Sequence, residues 1–226
     1  MQAALTDAAA AAVSRLSAQY AAAASMAYDT SVSATDVLAV EPVGFLAHAI
    51  QAAEQAEAAH PGDDELVVAA LLHDVGWLLP KPSDSALLTT DAAGAADAEF
   101  LARHDVTGAR YLDELGFPPR VCALVAGHVQ AKRFLCATEP AYRAGLSEGS
   151  VFTLAKQGGP MSAAEVEAWT KSRDWALMVQ LRRWDEGAKE WHRKPEDMRS
   201  WESYVPVMTR VLAAAGAATA TAAART

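Results

Sequence analysis

Cysteine is scarce in this chain. There are two in 226 residues, Cys122 and Cys136, in no CxxC arrangement. That excludes a disulfide scaffold and reads as the reduced thiols of a cytoplasmic protein. Aromatic residues make up only 7%, isoleucine and tyrosine are sparse, and alanine is abundant, a mix that favours helix over strand. No long basic stripe is present and the net charge is −9, which makes nucleic acid and anionic membranes poor partners. An anionic substrate would have to be drawn by local Lys, Arg or metal. No basic segment followed by an apolar core opens the sequence, so no signal peptide is expected. Charges break the apolar runs before membrane-spanning length, so no membrane partner is expected either. What the chain does have is size and apolar content: at 52% hydrophobic, 226 residues can bury one full core. The expected class is all-α, a single helical bundle.

The punctuation divides the chain into helices. Residues 3 to 27 read as an Ala-rich outer cap. Pro42 suits the first turn of a helix running to about Ala59 and carrying His48. His60-Pro61-Gly62-Asp63-Asp64 is a turn with an acidic start to the next helix, which ends near Leu79 and delivers His73 and Asp74. After a polar loop over 80 to 92, a helix from about Ala93 to Leu115 carries His104 and stops at Gly116. Pro118-Pro119 opens a helix with His128 and Lys132. A short helix spans 147 to 157, and Ser162 to Glu165 has capping-box spacing. Asp174 to Glu190 holds Arg182 and Asp185. A last helix over about 196 to 215 precedes a low-complexity tail, residues 216 to 226, expected to be disordered. No internal repeat and no second domain is evident in residues 1 to 215.

The chemistry concentrates in Val67 to Trp77, where an apolar helix face ends in the adjacent pair His73-Asp74. Both side chains are costly to bury without strong partners, and a metal is the simplest one. His48, His104, His128 and Asp185 complete a set of four imidazoles and two carboxylates. A single ion with an open position needs about three protein ligands. Six ligands therefore suggest two ions, with Asp74 placed to bridge them. His60 and His192 flank a proline turn and a charged stretch and are read as solvated.

Two pairs put a cation beside a ligand. Lys132 follows His128 by four residues and Arg182 precedes Asp185 by three, each on one helical face. Cations so placed can hold an anionic substrate that also reaches the metals. Ser150, Thr153 and Gln157 form a polar stripe that reads either as a solvated face or, with Lys132 and Arg182, as a wall for phosphate-like oxygens. Glu41, at the entrance to the His48 helix, could hold a substrate ammonium or simply favour the helix N-terminus.

The order His48, His73-Asp74, His104, His128, Asp185 resembles the HD superfamily in its di-metal form. The stretches Glu41 to His48, Ala70 to Gly76, Leu115 to Cys136 and Arg182 to Lys189 resemble the HD-domain mixed-valence di-iron oxygenases. Within them, the chain is most similar to the branch that cleaves the C–P bond of hydroxyphosphonates such as 2-amino-1-hydroxyethylphosphonate. The similarity covers about residues 37 to 190. It implies an HD-domain bundle holding a mixed-valence Fe(II)/Fe(III) pair with O2 as co-substrate. His48, His73, Asp74 and Asp185 would hold the iron that the substrate chelates. Asp74 would bridge to the iron held by His104 and His128, where dioxygen binds. Lys132, Arg182, Ser150, Thr153 and Gln157 would contact the phosphonate, and Glu41 the substrate amine. The implied reaction turns a 1-hydroxyphosphonate into inorganic phosphate and a carboxylate, glycine for the amino substrate; Asp74, His104, His128 and Glu41 are its expected catalytic residues. One position departs from the family: the tyrosine three residues before the glutamate is Leu38 here, so oxygen gating or the site for the amino end is expected to differ. The rival readings are an HD-type metal-dependent phosphohydrolase acting on a phosphate ester or nucleotide, and a non-enzymatic HD module. Neither composition nor pattern fixes an oligomeric state.

Overall fold

The computed structural model describes residues 2–24, 26, 43–81 and 102–223. Within them the protein is all-helical: ten α-helices and two 3-10 turns, with no strand among the described residues. The helices are α1 (Gln2–Ala22), α2 (Phe45–Ala59), α3 (Asp64–Leu72), α4 (His104–Glu114), α5 (Pro119–Thr138), α6 (Pro140–Ala144), α7 (Glu148–Lys156), α8 (Ala163–Trp169), α9 (Trp175–Gly187) and α10 (Trp201–Ala223).

The centre of the bundle is α3. Every residue from Leu66 to Leu72 is buried, so this helix is apolar all round, as a core helix must be. Its start is fixed by Asp63, whose side chain accepts from the Leu66 amide at 3.1 Å and pairs with Arg120 at the head of α5 through two contacts of 2.7 Å. The amphipathic α2 packs along α3, α5 packs against α4 and α9, and α1 lies along α10. Tyr20 ties that outer pair to the core: its ring stacks on Trp201 at 4.5 Å and its hydroxyl donates to the Leu71 carbonyl at 3.2 Å.

Several boundaries differ from the expectation, each for a local reason. The helix carrying His73 stops at Leu72 instead of running to Leu79; Asp74 (φ −103°, ψ 12°) leaves the helical path and a 3-10 turn, Val75–Leu78, follows. Adjacent residues on an α-helix point about 100° apart. Breaking the helix here lets both side chains of the pair face one site. α4 begins at His104, after a non-helical Arg103 (φ −132°, ψ 25°); residues 93–101 of the expected longer helix, and most of the expected loop before it, lie outside the described residues. Gly116, with φ 89°, ends α4 as its position suggested. The capping box of Ser162 and Glu165 is formed. The last helix starts later, at Trp201, and continues to Ala223 through residues expected to fray, because its alanine-rich end has the strongest helix propensity available. Residues Trp201–Ala222 are long and apolar enough, by length and composition, to cross a membrane, a stretch the charge spacing had not suggested. The first half of the helix buries Trp201, Tyr204, Met208 and Leu212 in the core cluster.

Candidate metal centre and substrate cavity

Five elements converge on one point. α2 brings His48, the end of α3 brings His73 and Asp74, the first residue of α4 is His104, the middle of α5 carries His128, and α9 carries Asp185. All six residues are at most 5% exposed. The imidazoles face each other through Nε2, with His48 and His73 at 3.1 Å and His104 and His128 at 3.0 Å. Asp74 lies between the two pairs. Its Oδ2 is 3.4 Å from His73 Nε2 and 3.9 Å from His48 Nε2, while its Oδ1 is 3.3 Å from His104 Nε2 and 3.5 Å from His128 Nε2. Asp185 Oδ1 closes the first group, 3.6 Å from His48 and 3.8 Å from His73. Two ion-sized groups result, His48/His73/Asp74 and Asp74/His104/His128, which share a carboxylate.

The hydrogen bonds on the far side of the rings fix the tautomers. His48 Nδ1 donates to the Ala188 carbonyl at 3.0 Å, His73 Nδ1 to Ala70 at 2.8 Å and His128 Nδ1 to Val125 at 2.7 Å. A carbonyl only accepts, so each of these Nδ1 atoms carries the proton and each Nε2 presents a lone pair. Nε2 atoms that meet at 3 Å, ringed by carboxylates, need a cation between them: a metal ion or, without one, the proton that Asp74 and Asp185 draw onto His73. Two imidazoles bound cis at ~2.1 Å to one ion lie about 3 Å apart, so the spacing fits metal ligation. The electrostatics agree. Burial alone would raise the carboxyls of Asp74 and Asp185, but His73, His104 and His128 hold Asp74, and Arg182 and His73 hold Asp185, well below the usual carboxylate range. Burial, with His73 beside it, pushes His48 down to about 4. At His73 burial works the other way from Asp74 and Asp185, which prevail and push it up to about 10.

Beside this cluster lies a cavity of about 330 Å³. Asp74, His104, His128 and Asp185 form one wall. Lys132, Arg182, Ser150 and Thr153 stand among its other walls. Lys132 is 3% exposed; its Nζ donates to Thr153 Oγ1 at 2.9 Å, and burial, with Arg182 nearby, pushes it down to about 7. Arg182 is anchored by Asp185, by Glu186 and, through Nε, by the Tyr142 hydroxyl at 2.8 Å. Three of its five N–H groups are thus taken. Its Nη2 also lies 3.5 Å from Ser150 Oγ.

Gln157 is not brought to the wall. It ends α7 just before Gly158 turns the chain away (φ 97°), and its amide is buried without a partner. Glu41 and Leu38 lie outside the described residues. Sequence reasoning passed over Trp77, Tyr142, Glu186 and Lys189. Trp77 stacks on His104 at 4.1 Å with 22° between the planes, and lines the cavity together with Lys189, Phe45 and Met26. Glu186 and Lys189, one helical turn beyond Arg182 and Asp185, were legible from their spacing. Nothing local marked Tyr142.

Comparison with known proteins accounts for this arrangement. The HD domain profile matches residues 43–147. A [1-hydroxy-2-(trimethylamino)ethyl]phosphonate dioxygenase (glycine-betaine-forming) of Leisingera caerulea is 35% identical over 173 residues, 73% of this chain and 83% of that protein. A hydroxymethylphosphonate dioxygenase of Gimesia maris is 35% identical over 168 residues, 73% of this chain and 77% of that one. The chain belongs to the HD-domain phosphonate dioxygenases. An uncharacterised protein of Acanthamoeba polyphaga mimivirus is also similar, 32% identical over 144 residues. Within an HD-domain dioxygenase the paired groups around Asp74 are the expected place for metal, and the cationic wall faces them from within a few ångströms of chain: His128 and Lys132 are one turn apart on α5, as are Asp185 and Arg182 on α9.

Proposed function

We propose that this protein is a di-iron oxygenase that cleaves the C–P bond of a 1-hydroxyphosphonate with dioxygen, giving inorganic phosphate and a carboxylate. The observation that carries the reading is Asp74. Its two oxygens face different histidine pairs, and the resulting double site opens into a cavity flanked by a buried lysine and arginine. The reaction balances without an external reductant: R–CH(OH)–PO3H2 plus O2 gives R–COOH plus H3PO4. C1 is oxidised, O2 is reduced, and its two atoms are divided between the products.

On this reading His48, His73, Asp74 and Asp185 hold one iron, and Asp74, His104 and His128 hold the other. The mixed-valence pair supplies the redox chemistry that activates O2. The rest is done by the chain. Lys132 and Arg182 bind the phosphonate oxygens and offset their charge, preorganised in a site that excludes most water. Thr153 orients Lys132, and Ser150 adds a hydroxyl beside Arg182. Burial of the whole wall strengthens each of these contacts. The substituent on C1 extends away from the cations, toward Met26, Phe45 and Trp77, with Glu41 as the partner for an amino group. The candidate substrates are accordingly 2-amino-1-hydroxyethylphosphonate and the hydroxyphosphonates that name the relatives. We place this enzyme in the cytoplasm, in keeping with its two free cysteines, and read residues 1–215 as one domain.

The test is turnover of a panel of these three hydroxyphosphonates by the iron-loaded protein, with phosphate release and O2 uptake followed together. The proposal expects one phosphate per O2 with at least one member and none under anaerobic conditions. Anaerobic hydrolysis of a generic aryl phosphate with Mn or Mg, and no O2 uptake, would instead establish the phosphohydrolase reading.

A further inference from the structure

We infer that Trp77 is the positioning residue for His104, and that the Asp74/His104/His128 group is the more easily emptied half of the metal centre; this rests on the two-ion reading above. Three of the four imidazoles are held by a backbone carbonyl at Nδ1, and at His73 and His128 that carbonyl belongs to the residue three positions back in the same helix. His104 has no such tether. It opens α4 behind the non-helical Arg103, and its Nδ1 is buried with no hydrogen-bond partner. What holds the ring is the indole of Trp77, stacked on it at 4.1 Å and 22°. The backbone beneath is held equally closely. A Cβ on Gly76 would lie 1.9 Å from the His104 carbonyl oxygen, so the 3-10 turn and the first turn of α4 meet main chain to main chain. The turn that follows Asp74 therefore delivers the bridging carboxylate and, three residues on, the flat surface that orients a ligand of the second ion.

The partners behind a metal-bound histidine set its orientation, and their loss commonly weakens metal binding ~10- to 100-fold. Here a stacked ring takes that part, and it restrains the plane of the imidazole without fixing its rotation within the plane. Among the described residues, the group that depends on it also has fewer ligands, one carboxylate and two imidazoles, against two of each at the His48/His73 group. Both facts point to the same ion leaving first.

The experiment loads wild type, Trp77→Leu and Trp77→Phe anaerobically with Fe(II), titrates each with EDTA, and measures iron per chain after gel filtration. Leu keeps apolar volume without a ring face. Phe keeps a ring face without the indole N–H. We expect wild type to hold two irons and release them in two steps, and Trp77→Leu to lose the first at ~10- to 100-fold lower chelator. Trp77→Phe should follow wild type within about threefold. Retention of both irons by Trp77→Leu with the wild-type profile overturns the inference, and so does equal loss in the Leu and Phe variants, which would put the effect in volume or the N–H. Trp77→Met is a second variant without a ring, judged by the same rule should the Leu protein fail to fold. A wild type that never holds more than one iron overturns the two-ion reading and this inference with it, whereas two irons in an indifferent Leu variant overturn the inference alone.

Discussion

Lys132→Met is the perturbation whose two consequences pull in opposite directions. Lys132 is buried, its one hydrogen bond among the described residues goes to Thr153, and Thr153 keeps the Gly149 and Ser150 carbonyls as partners when that bond is removed. Methionine is close in length and leaves no orphaned group. Burial and Arg182 hold the ammonium at about 7 instead of 10.5, and a fall of that size corresponds to roughly 4–5 kcal/mol of unfavourable charge burial at acidic pH. The variant should therefore be more stable than the wild type, by about 2 kcal/mol or more at pH 6, which raises Tm by roughly 4–8 °C in a chain of this size. The sign follows from the depressed value: the unfolded chain binds the proton more tightly, so wild-type stability climbs between about pH 7 and 10 while the variant gains nothing there. Catalysis should move the other way. A charge-assisted hydrogen bond to the phosphonate contributes about 1.5–3 kcal/mol, so kcat/KM should fall roughly 10- to 150-fold with iron content unchanged. In the wild type kcat/KM should decline as pH rises through about 7, where Lys132 becomes neutral, and that inflection should vanish in the variant. Differential scanning calorimetry at pH 6 and 9, with steady-state phosphate release across pH, reads all of this. A variant that is less stable at pH 6, or one that keeps wild-type kcat/KM, would refute the assignment of Lys132 as a buried cation kept for an anionic substrate.

Three further variants probe other links. Asp74→Ala should lose both irons, since each carboxylate oxygen faces a different pair; elemental analysis showing one iron retained at full occupancy would contradict the bridge. Gly76→Ala drives a methyl into the His104 carbonyl and should cost about 3 kcal/mol, a fall in Tm of roughly 6–12 °C. A thermal melt within a degree of wild type would deny the close approach. Tyr142→Phe removes the acceptor for Arg182 Nε and should raise KM for the phosphonate about 3- to 10-fold, with kcat and iron content within twofold of wild type. A change in iron content instead would mean that Tyr142 acts on Asp185.

His48, His73, Asp74 and His128 were legible because each is an imidazole or carboxylate in a largely apolar helical stretch, where only a shared cation makes burial tolerable; His104 and Asp185 lie in charged stretches and were legible only from the order of the six ligands. Lys132 and Arg182 were legible through helical spacing from a ligand. The helix class followed from composition, and the stop at Gly116 and the start at Ser162 from turn and capping chemistry. What escaped was long-range or required leaving regular structure. The helix break at Asp74 carries no Pro or Gly signal before Gly76; it is imposed by the need to aim His73 and Asp74 at one point. Trp77 reads as core until its ring is seen against His104, and Tyr142 meets Arg182 across forty residues of sequence. Gln157 shows the converse: its spacing from Ser150 and Thr153 holds on an ideal helix, but it sits where α7 ends and the chain turns off.

Anomalous diffraction at the iron edge, on crystals of iron-replete protein, reads the core of the account. Two peaks are predicted, roughly 3.5–4 Å apart, one on each side of the Asp74 carboxylate. A single peak, or none within reach of His104 and His128, would contradict it.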